Sequence, residues 1–243
     1  MTAPAGAVGP GAPLVALEPA LAGVGGRLVV DLGRPHRCLS SAVLGGGLTW
    51  ARSWLDLQVP LPYTRTDPDA HLLEEAGDLA GPVVGMLTAA AVADFRQAAV
   101  GGALAVATVG VGHPLAAAGG RPREAPAAGT INLLVVVDQP LTDAGLVGAL
   151  QTAVEAKAQA LAAARVPAAN AAGYATGTAT DAICVACPPG WRVPFAGPAT
   201  RVGADLARAV LEAIRSGAEL AQERSRRPLA PRLPPAALGG RAP

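Results

Sequence analysis

The chain is poor in charge and in aromatic side chains: of 243 residues, 15% are charged and 3% aromatic. A formal net charge of +1 and the absence of any interleaved basic and aromatic stretch leave no surface for nucleic acid or for an acidic membrane. Mean hydropathy is high, at +0.37, yet no apolar run is long. The strongest, Ile131 to Val137, is interrupted by Asn132 and bounded by Asp138 and Pro140. That is strand length, well below the ~20 residues of a membrane helix. No cation precedes Arg27, so the N-terminal region lacks the basic segment of a secretory signal. Three cysteines, an odd number, make no disulfide framework in a chain of this size. These absences point to a cytoplasmic protein without membrane insertion.

Cofactor motifs are missing too. His36, His71 and His113 share no metal-ligand spacing, and the C-x-x-C of Cys184 and Cys187 has no second pair to complete a zinc site. Positions three apart in a strand face opposite sides, so these two thiols diverge. G-x-S-x-G, a phosphate-binding loop and a dinucleotide fingerprint are all absent. The expectation is a protein without metal or cofactor.

What is present is one sizeable core's worth of Ala, Gly and Val. Residues 1–26 and 226–243 read as low-complexity ends, the latter a Pro/Ala-rich disordered tail, leaving 27–225 as the folded domain. Strand patterns fall at 28–31, 41–44, 55–59, 83–87, 103–109, 131–137 and 182–187; helical patterns fit 68–78, 142–165 and 200–222. Thr200, following Pro198, suits a helix N-cap. The segment 113–129 is long and rich in Gly and Pro, the composition of a functional loop or lid. The fold class is a mixed α+β single domain, strand-rich, with two long helices in its C-terminal half.

Two charged residues stand where the local pattern demands apolar ones. Leu146, Leu150, Val154 and Leu161 form one stripe of the 142–165 helix, and Lys157 falls within about 60° of all four. Asp181 shares a strand face with Ile183 and Val185. Unpaired buried charge is expensive, so each needs a reason. For Lys157 the choices are a stem that snorkels along the surface or an ammonium at a site. For Asp181 they are a turn carboxylate bonding local amides or a group in a Gly/Thr-lined site, since Thr176, Gly177, Thr178 and Thr180 surround it. Glu155 points about 160° away from Lys157, onto a polar face with Gln151 and Gln159. Asn132 interrupts a strand otherwise apolar on both faces. In CLSSAVLGGGL (38–48), Ser40 and Ser41 precede Gly45, Gly46 and Gly47, either a strand ending in a glycine turn or a nucleophile beside backbone donors.

These motifs together carry a resemblance. AGTINLLVVVDQPLTDAGL, AVEAKAQAL and TGTATDAICVAC, with CLSSAVLGGGL, MLTAA (86–90), ATVGVGHP (107–114) and FAGPATRVG (195–203), resemble adenosylcobinamide amidohydrolases of the CbiZ type over residues 28–222. The resemblance implies hydrolysis of the amide that joins aminopropanol to the corrin ring, releasing adenosylcobyric acid for cobalamin synthesis. A small-molecule corrinoid is then the one implied partner. The matching motifs make Lys157, Asp181, Thr180, Thr178, Ser41 and Asn132 the catalytic candidates. They make Ser40, Gly45, Gly46, Gly47, Thr88, Thr130, Gly177 and Glu155 the substrate-contact candidates. The pattern departs at Gly45, where the family often carries asparagine, and at His113, which receives no role. Those departures keep open a non-catalytic corrinoid-binding module of the same fold.

Overall fold

A computed structural model describes residues 13–21, 25–120 and 129–226. Among these residues ten strands and three α-helices follow one another as β1 (Leu14–Pro19), β2 (Gly26–Ser40), β3 (Gly47–Gln58), α1 (Pro68–Glu75), β4 (Val83–Thr88), β5 (Arg96–Val100), β6 (Ala103–Val109), β7 (Pro114–Leu115), β8 (Ile131–Val137), α2 (Asp143–Ala163), β9 (Gly177–Thr178), β10 (Ala182–Cys187) and α3 (Arg201–Arg226). The main sheet runs β4-β3-β2-β10-β8-β6-β5, with β1 paired to the first half of β2. Two pairs are parallel, β3 with β4 and β8 with β10, and each is bridged by a helix, α1 and α2 respectively. The rest is antiparallel. This is a mixed α/β architecture with its two longest helices in the C-terminal half.

The sheet is covered differently on its two faces. Ile131, Leu133, Val135 and Val137 of β8 pack under α2 and α3, with Ile183, Val185 and Cys187 of β10. Leu134 and Val136, with Cys184 and Ala186, point the other way, into a second core shared with Leu28, Trp54 and Met86. Cys184 and Cys187 therefore do diverge, and β8 is buried on both faces, as its continuous apolar run requires. Asn132 of β8 reaches Asp56 of β3 and the Leu87 carbonyl of β4, strands far from it in the sheet order, so the sheet curls over that second core.

Both long helices begin at the threonines expected. Thr142 accepts from the Gly145 amide at 3.0 Å, and Thr200 from the Gly203 amide at 3.0 Å. Arg165, at φ 54°, takes the left-handed conformation that ends α2.

Several expectations are corrected. Residues 41–44 are a turn, because the strand pattern continues through the polar stretch 33–40 and the chain reverses at Gly45–Gly47 into β3. A Cβ on Gly45 would stand 2.6 Å from the Val83 carbonyl, and one on Gly46 2.4 Å from that of Ala42, so the turn closes too tightly for side chains. The strands β1 and β5 were not anticipated, and β1 lies inside the segment read as low-complexity. The buried face of α2 is also rotated. It centres on Ala149, Ala153, Ala156 and Ala160, whose small side chains let α2 and α3 approach closely, while Val154 is exposed. The tail from 227 onward and residues 121–128 of the long loop lie outside the described residues.

Candidate active site

Lys157 and Asp181 meet. The Nζ of Lys157, from α2, forms an ion pair with Oδ2 of Asp181, which enters β10, and the two side chains are only 8% and 10% exposed. Of the two readings open to Lys157, the structure takes the inward one. Asp181 collects further donors: the Ile131 amide at 3.1 Å, the Thr178 amide at 3.1–3.2 Å, and the Thr178 hydroxyl, which donates to Oδ1. This donor set suits an ionised carboxylate. A Cβ on Gly177 would stand 2.4 Å from Asp181 Oδ2 and 2.7 Å from Lys157 Nζ, so glycine there gives the ion pair its space.

The pair lies in a cleft of about 630 Å³, more than twice the volume of three others of 220–280 Å³. Thr176, Gly177, Thr178, His113 and Val154 also line it. One wall is the short ribbon of β7 with β9, in which Pro114 pairs with Thr178 and Leu115 with Gly177. Asn170 holds that wall: its side chain accepts from the Ala116 amide at 2.8 Å and donates to the Ala116 carbonyl at 3.0 Å. The described start of the long loop is therefore tied to the very residues that carry Thr178.

Other candidates sit at or near this end of the sheet. Thr180 and Thr130 share a hydrogen bond of 2.7 Å, joining the approaches to β10 and β8. Ser41 is exposed and accepts at 3.1 Å from the amide of Ile183, two residues beyond Asp181 along β10, but lies outside the cleft lining. Ser40 is buried and spends its hydroxyl on the Ile183 carbonyl and the Ala42 amide. Thr88 is buried and accepts from the Ala90 amide at the end of β4. Gly45, Gly46 and Gly47 stand in the hairpin turn, with Gly45 against Val83 and Val84 of β4, and none lines the cleft. Glu155 is exposed and lies outside the cleft lining.

Asn132 is fully buried, and its amide nitrogen serves Asp56 Oδ1 at 2.7 Å and the Leu87 carbonyl at 2.9 Å. With both hydrogens engaged it presents no donor to the cleft; its place is on the sheet face away from α2. Asp56, which the sequence did not single out, is its partner, and Thr108 donates to the other carboxylate oxygen at 2.6 Å. Burial pushes the Asp56 carboxyl up to about 6, against the opposing pull of these two donors. The side-chain oxygen of Asn132 is buried without a partner among the described residues. No three His, Cys, Asp or Glu side chains among the described residues converge to hold a metal ion, and no described helix is long and apolar enough to cross a membrane.

The arrangement places the Thr178 hydroxyl in a hydrogen bond to the Asp181 carboxylate, which the Lys157 ammonium pairs in turn. The family profile described as adenosylcobinamide amidohydrolase matches residues 24–226. A protein of Halobacterium salinarum named adenosylcobinamide amidohydrolase is 38% identical over 138 residues, covering 54% of this chain and 56% of its own length. One of the same name from Methanosarcina mazei is 30% identical over 196 residues, covering 75% of this chain and 90% of its own. The matched span takes in Lys157, Asp181 and the whole cleft wall, and this chain belongs to the adenosylcobinamide amidohydrolase family.

Proposed function

We propose that the chain hydrolyses the amide between aminopropanol and the corrin ring of adenosylcobinamide, giving adenosylcobyric acid for corrinoid salvage. The observation that carries this reading is the triad of Thr178, Asp181 and Lys157 in a cleft of about 630 Å³ in a family member. The catalytic domain takes in β1 through α3, wider at its N-terminal side than the 27–225 expected from sequence, and the three free, buried cysteines support a reducing, cytoplasmic setting.

In this mechanism the Thr178 hydroxyl gives its proton to Asp181 as its oxygen attacks the amide carbonyl. The Lys157 ammonium holds Asp181 in place and offsets the negative charge that develops on the carbonyl oxygen. Collapse breaks the C–N bond, and aminopropanol departs with the proton returned from Asp181. Water then attacks the resulting ester, giving up a proton by the same route, and the free carboxylic acid is released from Thr178. Thr180 and Thr130 fix the backbone that carries the triad, and Ser41 contacts the substrate from the hairpin. Conversion of adenosylcobinamide to the free acid by the purified protein tests the reading.

A further inference from the structure

The mechanism leaves unanswered where the bulk of so large a substrate rests. A volume of about 630 Å³ is that of a pocket for a drug-sized ligand (roughly 300–1,000 Å³), and a corrin macrocycle with its amide arms exceeds that class. The cleft takes the scissile arm; the ring requires a surface beside it.

One surface adjoins the cleft directly. At 100° per residue, Asp143, Val147, Leu150, Val154 and Lys157 fall along a single line of α2. Both ends of that line are tied to the sheet, Asp143 by an ion pair with Arg37 of β2 and Lys157 by Asp181 of β10. The residues between them therefore look onto the β2–β3 hairpin. There Trp50 stands opposite Arg37 and Leu48 opposite Leu39 in the strand register, which puts them on the same, helix-side face. Leu39 and Leu150 pack partly into the core and form the floor.

The rims remain open. Val147, Val154, Leu48 and Trp50 are each 44–49% exposed. This apolar line is what the rotation of α2 leaves over, since the helix satisfies its packing against α3 with alanines and not with these valines. Val147 to Val154 spans about 10 Å, and Leu48 to Trp50 about 7 Å, the scale of a macrocycle face. Val154 belongs to both the strip and the cleft.

We infer that the strip between α2 and β3, with Trp50 and Val154 at its rims, is the docking surface for the apolar face of the corrin ring, holding the scissile arm over Thr178. This rests on the functional reading above. The occupant is set by continuity with the cleft and by the size the cleft leaves unaccommodated. A flat, exposed indole is the side chain best suited to lie against an extended conjugated ring.

The test uses the full chain and adenosylcobinamide, with Kd from equilibrium dialysis and KM and kcat from steady-state turnover. Trp50→Ala and Leu48→Asp are expected to raise Kd and KM about tenfold, with kcat changed less than about threefold, the pattern of lost binding common to ground and transition states. Trp50→Phe should stay within about threefold of the parent in Kd, which separates ring contact from misfolding. If both disruptive variants bind as the parent does, the strip is not the docking surface. If weakened binding accompanies conversion of a dimer to a monomer in light scattering, a second copy of the chain occupies the strip and the inference is overturned. A parent protein that binds no corrinoid removes the functional reading itself, and the strip's assignment with it.

Discussion

The ammonium of Lys157 and the carboxylate of Asp181 form an ion pair across 24 residues of chain, both side chains about nine-tenths buried, and a third residue, Thr178, donates its hydroxyl to the same carboxylate. Removing one member of a buried pair strands the other. Lys157→Met and Asp181→Asn should each lose at least about 10²-fold in turnover and about 3 kcal/mol of stability. The double variant should recover part of the stability and none of the activity. Denaturant melts beside corrinoid turnover check this; a stable, active single variant contradicts it.

Gly177 tests the same geometry by adding one methyl group. Its Cβ would crowd Asp181 Oδ2 at 2.4 Å and Lys157 Nζ at 2.7 Å. Gly177→Ala should push the pair apart, lowering kcat at least about tenfold while overpacking destabilises the fold by about 1–3 kcal/mol. Full activity in this variant would mean that the pair need not stay closed.

Thr178 is assigned the covalent step. Thr178→Ser keeps a hydroxyl beside Asp181 and should retain activity within about tenfold, whereas Thr178→Ala should lose at least about 10²-fold. Intact-mass measurement after acid quench should find a corrinoid acyl adduct on the parent and on the serine variant. Turnover undiminished in the alanine variant assigns the attack to water.

These two charges could be read from sequence because each violates a local period: Lys157 interrupts a helical stripe, and Asp181 an apolar strand. Asp56 could not. Its neighbours Leu55 and Leu57 read as an ordinary alternating strand, and its partners Thr108 and Asn132 lie on two other strands that only the curling of the sheet brings near. Asn132 was visible as an interruption, but its direction was not; the structure turns it away from the cleft. The hairpin turn at 41–46 carries a strand-like pattern at 41–44, and its true extent depends on the pairing of β2 with β3, a long-range property. Likewise the buried face of α2 depends on α3, whose close approach selects alanines over the larger residues that sequence periodicity favours.

Asp56 gives a prediction about pH. Its ordinary value is 3.8, and burial raises it to about 6 in the folded protein. Between these values the native state holds a proton that the unfolded chain has lost, so this residue's contribution to stability is full below about pH 4, declines as pH rises, and is gone above about 6. The gap corresponds to about 3 kcal/mol. Asp56→Asn lacks this titration and can still accept from Asn132. The stability of the parent relative to this variant should therefore fall by about that amount between pH 4 and pH 7 in denaturant melts. A difference that is flat across this range contradicts a buried, titrating Asp56.

The most direct test of the whole account is to incubate the purified protein with adenosylcobinamide and identify the corrinoids by mass spectrometry. The account predicts a product that has lost aminopropanol and carries a free carboxylate in its place, formed by the parent and not by the Asp181→Asn variant. Adenosylcobinamide recovered unchanged, whether retained on the protein or not, would contradict it.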